Sequence, residues 1–347
     1  MGLFSFLNRK QTKSWEELLI LEKDQLTDDF TVFTLSKAVD SAFDIAFTPG
    51  QYVTLEIQSG AQPLRRSYSI CGKTENGFKI GVKRIEGGIM SSYLHNRTHK
   101  GDTIRVHEPE GNFTIEEEQN ICAFVAGSGI TPVISMIEAH KNKKQFNVFY
   151  NTKRLNDVVF KDHLAEIGAT VYLSQELKEG YKSGRLGYDA LMNELKDNLS
   201  LLQSDAYLLC GPEAFMAEIE RCLLFFGVPE GKIRKEFFIP PSKSDALASS
   251  DGVVSESTIT VLLDGQTTEL NVAVKKKTVL EVLEAAKLDP PYSCRGGVCS
   301  SCKAKIISGT AKMRQNFTLT DKEVADGYVL TCQAEITSPR LSITFDA

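Results

Sequence analysis

From Phe30 to Val106 apolar and polar residues alternate with a period of two. Phe30-Thr-Val-Phe-Thr-Leu35, Tyr52-Val-Thr-Leu-Glu-Ile57, Phe78-Lys-Ile-Gly-Val82 and Thr103-Ile-Arg-Val106 each read as a strand with one buried face. Pro49-Gly50, Asn76-Gly77 and Gly101-Asp102 separate them as turns. Many short strands so punctuated predict an antiparallel barrel or sandwich over residues 14–118.

The rhythm changes after residue 118. Ile121-Cys-Ala-Phe-Val-Ala126 is a continuous apolar run, as in a strand buried on both faces. A helical pattern follows, then strands at Phe146–Tyr150 and Thr170–Leu173 with a helix near Phe160–Leu164 between them. Ala206–Cys210 reads as a further strand and leads into a helix through Leu224. Strand and helix in alternation predict a parallel α/β domain over 119–240. Residues 241–255 are small, polar and rich in Ser, the composition of a flexible linker. The last segment, 256–347, opens with a hairpin signal at Asp264-Gly265 and a helix over Thr278–Lys287, where Thr278 and Glu281 form a capping box. It is expected to be a small α+β module.

With 347 residues, 42% apolar and 24% charged, the chain is an ordinary globular composition with room for two or three domains. A net charge of -5 makes it a poor generic polyanion binder, which argues against nucleic acid and acidic membranes as partners. No uncharged apolar stretch is long enough to span a bilayer. Met1–Lys10 lacks a long apolar region and a cleavage site, and Phe6 stands where a myristoylation motif needs Ser or Thr, so a cytoplasmic location is expected.

Cysteine placement changes the picture most. Cys71, Cys122, Cys210 and Cys222 are scattered, whereas Cys294, Cys299, Cys302 and Cys332 crowd into the last module. Cys-x4-Cys-x2-Cys with a distant fourth Cys is the plant-type [2Fe–2S] spacing. Gly296 and Gly297 let the loop fold tightly, so that backbone N–H groups face the sulfurs. Zinc sites more often pair two short Cys-x-x-Cys elements, and only one is present.

Three further motifs accompany it. Arg66-Ser67-Tyr68-Ser69 ends a strand-like run and can serve a flavin; its plain alternative is a surface Arg beside a half-buried Tyr and Ser. Gly88-Ile89-Met90-Ser91 enters a helix, where free N–H groups can meet a phosphate. Gly127-Ser128-Gly129-Ile130-Thr131-Pro132 follows the first buried strand and opens a helix, the place for a dinucleotide pyrophosphate. Pro132 replaces the last glycine of the Rossmann pattern, so a tight strand–helix connection would look the same. Cys210-Gly211-Pro212 repeats the arrangement, at the carboxyl end of a strand where parallel sheets bind ligands. The five histidines share no ligand spacing with the cysteines, and Trp15 reads as core.

Taken in order, these motifs resemble the ferredoxin–NADP reductase superfamily fused to a C-terminal plant-type ferredoxin, over about 14–347. The resemblance implies a β-barrel flavin domain, a parallel α/β nucleotide domain and a β-grasp ferredoxin domain. It implies that Arg66, Tyr68 and Ser69 hold the flavin, Ser69 toward N5, and that Gly127, Gly129, Thr131 and Pro132 hold the pyrophosphate. Cys210, Gly211 and Pro212 then lie by the nicotinamide, and Glu236 matches a further family position. Ser69, Cys210 and Glu236 are the implied catalytic residues; Cys294, Cys299, Cys302 and Cys332 are the implied cluster ligands. Gly88 to Ser91 add a second phosphate cradle, which favours FAD over FMN. Lys153 and Arg154 follow the second α/β strand and Arg185 the third, which favours NADPH over NADH; solvated loop cations are the plain alternative. The domain order is similar to oxygenase reductases of the phenylacetyl-CoA epoxidase and ketosteroid hydroxylase types, and 316–332 is most similar to the former. The implied activity is an NADPH-dependent reductase that passes electrons through FAD and the cluster to a partner oxygenase. A reductase of another hydroxylase, another electron-acceptor protein and a non-catalytic redox-sensing module are the alternatives.

Overall fold

The computed structural model describes residues 15–38, 41, 45–60, 62–241, 256–273 and 277–347. The reading of Met1–Lys10 and nearly all of the expected linker lie outside the described residues.

Six strands close a barrel: β1 (Trp15–Thr27), β2 (Phe30–Ser36), β3 (Tyr52–Ser59), β4 (Gln62–Thr74), β5 (Gly77–Lys83) and β6 (Thr103–His107), with α1 (Ile89–Arg97) between the last two. The order around the barrel is β1-β2-β5-β4-β3-β6, and its pairs are antiparallel. Alternation sends Leu18, Ile20, Phe33, Leu35, Val53, Leu55, Phe78 and Ile80 inward, and Met90 and Leu94 of α1 pack into the same core. Two elements differ from the sequence reading. Trp15 opens a long β1 whose polar residues hid its period. β4 continues through Arg66–Ser69 to Thr74 across an irregularity between Ile70 and Gly72, so the motif lies mid-strand.

The second unit contains β7 (Asn120–Ala126), α2 (Thr131–His140), β8 (Gln145–Thr152), α3 (Lys161–Glu166), β9 (Thr170–Leu173), β10 (Lys182–Ser183), α4 (Tyr188–Asp197), β11 (Ala206–Cys210), α5 (Glu213–Phe225) and β12 (Ile233–Glu236). Its parallel sheet has the order β10-β9-β8-β7-β11-β12, so the chain reverses direction between β7 and β11. One face of the sheet, with α2, shares a continuous core with Phe30, Val32, Cys71 and Phe113 from the barrel side. The barrel and the α/β unit are therefore joined by apolar packing.

The third unit contains β13 (Glu256–Leu263), β14 (Gln266–Ala273), α6 (Val279–Ala285), β15 (Lys303–Ser308), β16 (Ala311–Met313), α7 (Asp321–Ala325), β17 (Tyr328–Leu330), β18 (Ala334–Ile336) and β19 (Arg340–Thr344). Its five-stranded sheet, β14-β13-β19-β15-β17, is mixed, with β13 and β19 parallel. Val279, Val282 and Leu283 of α6 lie in its core, which makes the unit a β-grasp. Thr278 and Glu281 form the expected capping box. Among the described residues no helix is long and apolar enough to cross a membrane.

Candidate functional site

The reversal of strand order between β7 and β11 opens a crevice at their carboxyl ends. β7 hands over there to a 3₁₀ turn, Gly127–Ile130, and then to α2, whose first turn contains Pro132 and whose start carries no side-chain cap. Gly127 has φ +57°. A Cβ on Gly129 would stand 2.2 Å from the Cys210 carbonyl oxygen, and one on Gly211 would stand 3.0 Å from the Ala126 Cβ. The two glycine turns thus abut, and Thr131 is buried between them and the barrel.

Register places Cys210 between Val125 of β7 and Glu236 of β12. The Cys210 thiol is fully buried and points at Glu236 Oε2 over 4.0 Å. Burial pushes the thiol well up, and burial pushes the Glu236 carboxyl up to about 8. Pro212 caps α5 without a side-chain bond.

Lys153 and Arg154 leave β8 exposed at the same edge of the sheet. The two-residue β10 intervenes between β9 and Arg185, so Arg185 does not follow the third strand directly. Leu186 N–H donates to Asn151 Oδ1 at 3.1 Å, which brings exposed Arg185 to the end of β8. Among the described residues none of these three cations pairs with a carboxylate.

On β4, Arg66 is exposed and, among the described residues, donates only to the Arg65 carbonyl, at 2.7 Å. Tyr68 is half-buried against the barrel core with its hydroxyl pushed up by burial, and Ser69 is buried. At the start of α1, Gly88 is the cap and Ile89 is 62% exposed, whereas Met90 is buried in the barrel core. Ser91 Oγ accepts the Ile85 N–H at 3.1 Å and donates to the Gly88 carbonyl. The Met90 and Ser91 side chains are therefore engaged, and the Gly88 N–H donates to the Ile85 carbonyl at 2.9 Å, so this turn offers a ligand the backbone amides of Ile89, Met90 and Ser91. An exposed guanidinium held by one backbone carbonyl, a ring on the barrel and an uncapped helix start fit a flavin dinucleotide.

The four clustered thiols gather as two pairs. Cys299 Sγ donates to Cys294 Sγ at 3.0 Å, and Cys302 donates to Cys332. Each donor is pushed up by its partner, and each acceptor is pulled down. Cys294 N–H and Gly296 N–H point at the sulfurs of Cys299 and Cys294, each at 3.4 Å. Among the described residues no three His, Cys, Asp or Glu side chains are placed to hold one ion. Two pairs rather than one convergent tetrad fit a two-iron cluster better than zinc.

The cysteine loop does not stand alone. Ser300 N–H donates to the Tyr52 hydroxyl on β3 at 2.9 Å. A Cβ on Gly296 would collide with Pro240 Cγ at 1.9 Å, so the chain leaving β12 touches the same loop. Phe237 packs on Phe317 with ring centroids 5.5 Å apart, and Phe238 is 43% exposed. Sequence reasoning missed Tyr52, Glu56 and Arg65. The available signal was strand alternation, which sets charged and hydroxyl residues on one face of both β3 and β4.

The comparisons agree with this layout. The model of an oxidoreductase FAD-binding domain matches residues 17–115, that of an oxidoreductase NAD-binding domain 124–221, and that of a 2Fe-2S iron-sulfur cluster binding domain 261–337. Three such domains define an electron-transfer oxidoreductase that uses a nicotinamide nucleotide, FAD and a [2Fe–2S] cluster. The ferredoxin reductase component of the 3-ketosteroid-9-alpha-monooxygenase of Mycolicibacterium smegmatis is 30% identical over 95% of this chain and 97% of its own. One of the subunits of the 1,2-phenylacetyl-CoA epoxidase of Escherichia coli K12 is 29% identical over 96% of this chain and 98% of its own. Phthalate dioxygenase reductase shares the fold, with TM-score 0.60 and 22% identity over 96% of this chain and 98% of that one. The chain belongs to the ferredoxin–NADP reductase superfamily, in the branch that carries a plant-type ferredoxin domain at the C-terminal end.

Proposed function

We propose that this protein oxidises NADPH and delivers the electrons singly to a terminal oxygenase of the phenylacetyl-CoA epoxidase type, in a reducing cytoplasm. The observation that carries the reading is the seat of the cysteine loop, which rests on the flavin-motif strand pair and against the exit of β12. When bound, FAD and the cluster supply the conversion of a two-electron donor into one-electron deliveries.

The residues of the chain divide the remaining work. Arg66 and the amides that follow Gly88, those of Ile89, Met90 and Ser91, are suited to the FAD phosphates, Tyr68 to its ring and Ser69 to N5. The turn Gly127-Ser128-Gly129 with Thr131 and Pro132 is suited to the NADPH pyrophosphate, and Lys153, Arg154 and Arg185 to a 2′-phosphate. Cys210, Gly211 and Pro212 border the nicotinamide position. Glu236, with its raised affinity for a proton, keeps a neutral carboxyl there near pH 7. A neutral group does not favour the cationic oxidised nicotinamide over the neutral reduced one. Cys294, Cys299, Cys302 and Cys332 are the thiolates for the cluster.

The test is reconstitution. The purified protein should reduce cytochrome c with NADPH and support turnover by a phenylacetyl-CoA epoxidase oxygenase. Support of a ketosteroid hydroxylase alone would favour the second reading, which the 30% identical relative supports. Bound cofactors without steady-state turnover would favour a redox-sensing module.

A further inference from the structure

The two interfaces of the barrel differ in kind. Toward the α/β unit it is apolar and shares a core. Toward the ferredoxin domain it presents one polar face of β3 and β4. Register sets Tyr52 opposite Ser69, Thr54 opposite Ser67 and Glu56 opposite Arg65. Alternation turns these six side chains to one face, while Val53, Leu55 and Tyr68 turn to the barrel core.

Each rung of this ladder meets the segment that frames the cysteines. Tyr52 Oη receives the Ser300 N–H and lies 3.0 Å from Ser300 Oγ. Thr54 Oγ1 is 3.1 Å from Ser301 Oγ, and Ser67 Oγ donates to Ser293 Oγ at 2.8 Å. Arg65 donates through Nη2 to both Asp289 carboxylate oxygens, at 3.0 and 2.9 Å, and through Nη1 to the Pro290 carbonyl at 3.1 Å. Its Nε donates to Glu56 at 2.6 Å, and Glu56 also pairs with Arg105.

Arg65 is 1% exposed, and its Cζ lies 4.8 Å from both the Trp15 and the Tyr292 ring centroids. A planar fork clamped between two rings and two carboxylates fixes rotation as well as distance. The tyrosine rung is shared with Ser69, so the ladder joins the flavin-motif strand directly to the residue after Cys299. A cleft of about 250 Å³ remains beside Asp289, lined among others by Trp15, Arg105, Lys303 and Tyr328, and Asp289 is 65% exposed. The hydroxyls and charged groups of the ladder regain water when parted, which lowers the cost of separation.

We propose that this ladder is a separable docking surface that holds the cysteine loop over the flavin-motif strand, with Arg65 as the positioning residue that sets its orientation. The inference rests on FAD being held at Arg66–Ser69. Asp289→Arg sets like charges against each other at an exposed position and spares the barrel. Small-angle scattering of the full chain should then show a larger radius of gyration. Stopped-flow reduction of the cluster by NADPH should slow by roughly tenfold or more. NADPH–ferricyanide reduction and flavin content should stay as in the unmodified protein. Arg65→Met should act in the same direction, and Asp289→Arg decides alone if that variant does not fold. Unchanged scattering together with unchanged cluster reduction would overturn the proposal. So would a fall in ferricyanide reduction equal to the fall in cluster reduction, because Asp289 would then act on the flavin site itself. A misplaced flavin would show separately, as full flavin occupancy and ferricyanide activity in Arg66→Ala.

Discussion

The Cys210 thiol and the Glu236 carboxyl face each other from the ends of β11 and β12, 4.0 Å apart, in a place where burial disfavours charge on both. The Glu236 proton therefore bears on stability.

The folded protein releases the Glu236 proton near 8, whereas an unperturbed carboxyl releases it at 4.5. Between those values the folded state binds the extra proton, so stability falls as pH rises. Glu236→Gln removes that dependence. Melting temperatures of the variant and the unmodified protein should nearly coincide at about pH 4, and the variant should be the more stable at about pH 8. A constant difference across the range would show that Glu236 does not titrate there.

Gly129→Ala drives a methyl group to 2.2 Å from the Cys210 carbonyl, and backbone must move to admit it. The cost should be about 1–3 kcal/mol of stability. Because the displaced turn is the one suited to the dinucleotide, KM for NADPH should rise while flavin content is kept. Calorimetry and steady-state kinetics check the two halves.

Cys299→Ser should abolish the visible and EPR signals of the cluster and leave the flavin in place. Dye reduction by NADPH should persist, and cytochrome c reduction should collapse. Loss of flavin in this variant would mean that the barrel does not hold it without a complete cysteine loop.

A 2′-phosphate bound by Lys153, Arg154 and Arg185 gains roughly 1.5–3 kcal/mol per charged contact. Arg154→Glu should therefore erode the preference for NADPH by roughly tenfold or more, read as the ratio of kcat/KM for NADPH and NADH. Equal use of both nucleotides by the unmodified protein would make these cations ordinary solvated side chains.

Much of the architecture is written in periodicities. Alternation over Phe30–Val106, the apolar runs at Ile121 and Ala206, and Cys294-x4-Cys299-x2-Cys302 are local signals, and each is strong enough to survive without tertiary information. β1 was harder to see, because Glu16, Glu17, Glu22, Lys23 and Asp24 interrupt its apolar period. The docking face could not be read, because a polar strand face looks the same whether it meets water or a polar domain. Glu56 and Arg65 pair only in the register that closes β3 on β4, and Asp289 joins them from 224 positions downstream of Arg65. Trp15, expected in a core, is instead half-buried as a platform for Arg65 and Arg105.

The polar character of the ladder also bears on how the chain is made. At roughly 5–20 residues per second, the roughly 180 positions between His107, where the barrel closes, and Asp289 keep a nascent barrel waiting about 10–35 s for its cover. An apolar face left bare for that time would invite association with other nascent chains. Hydroxyls and a Glu56–Arg65 pair are instead well solvated while they wait, and the β3–β4 edge is already sealed within the closed barrel. The surface that receives the last domain is thus harmless through most of translation.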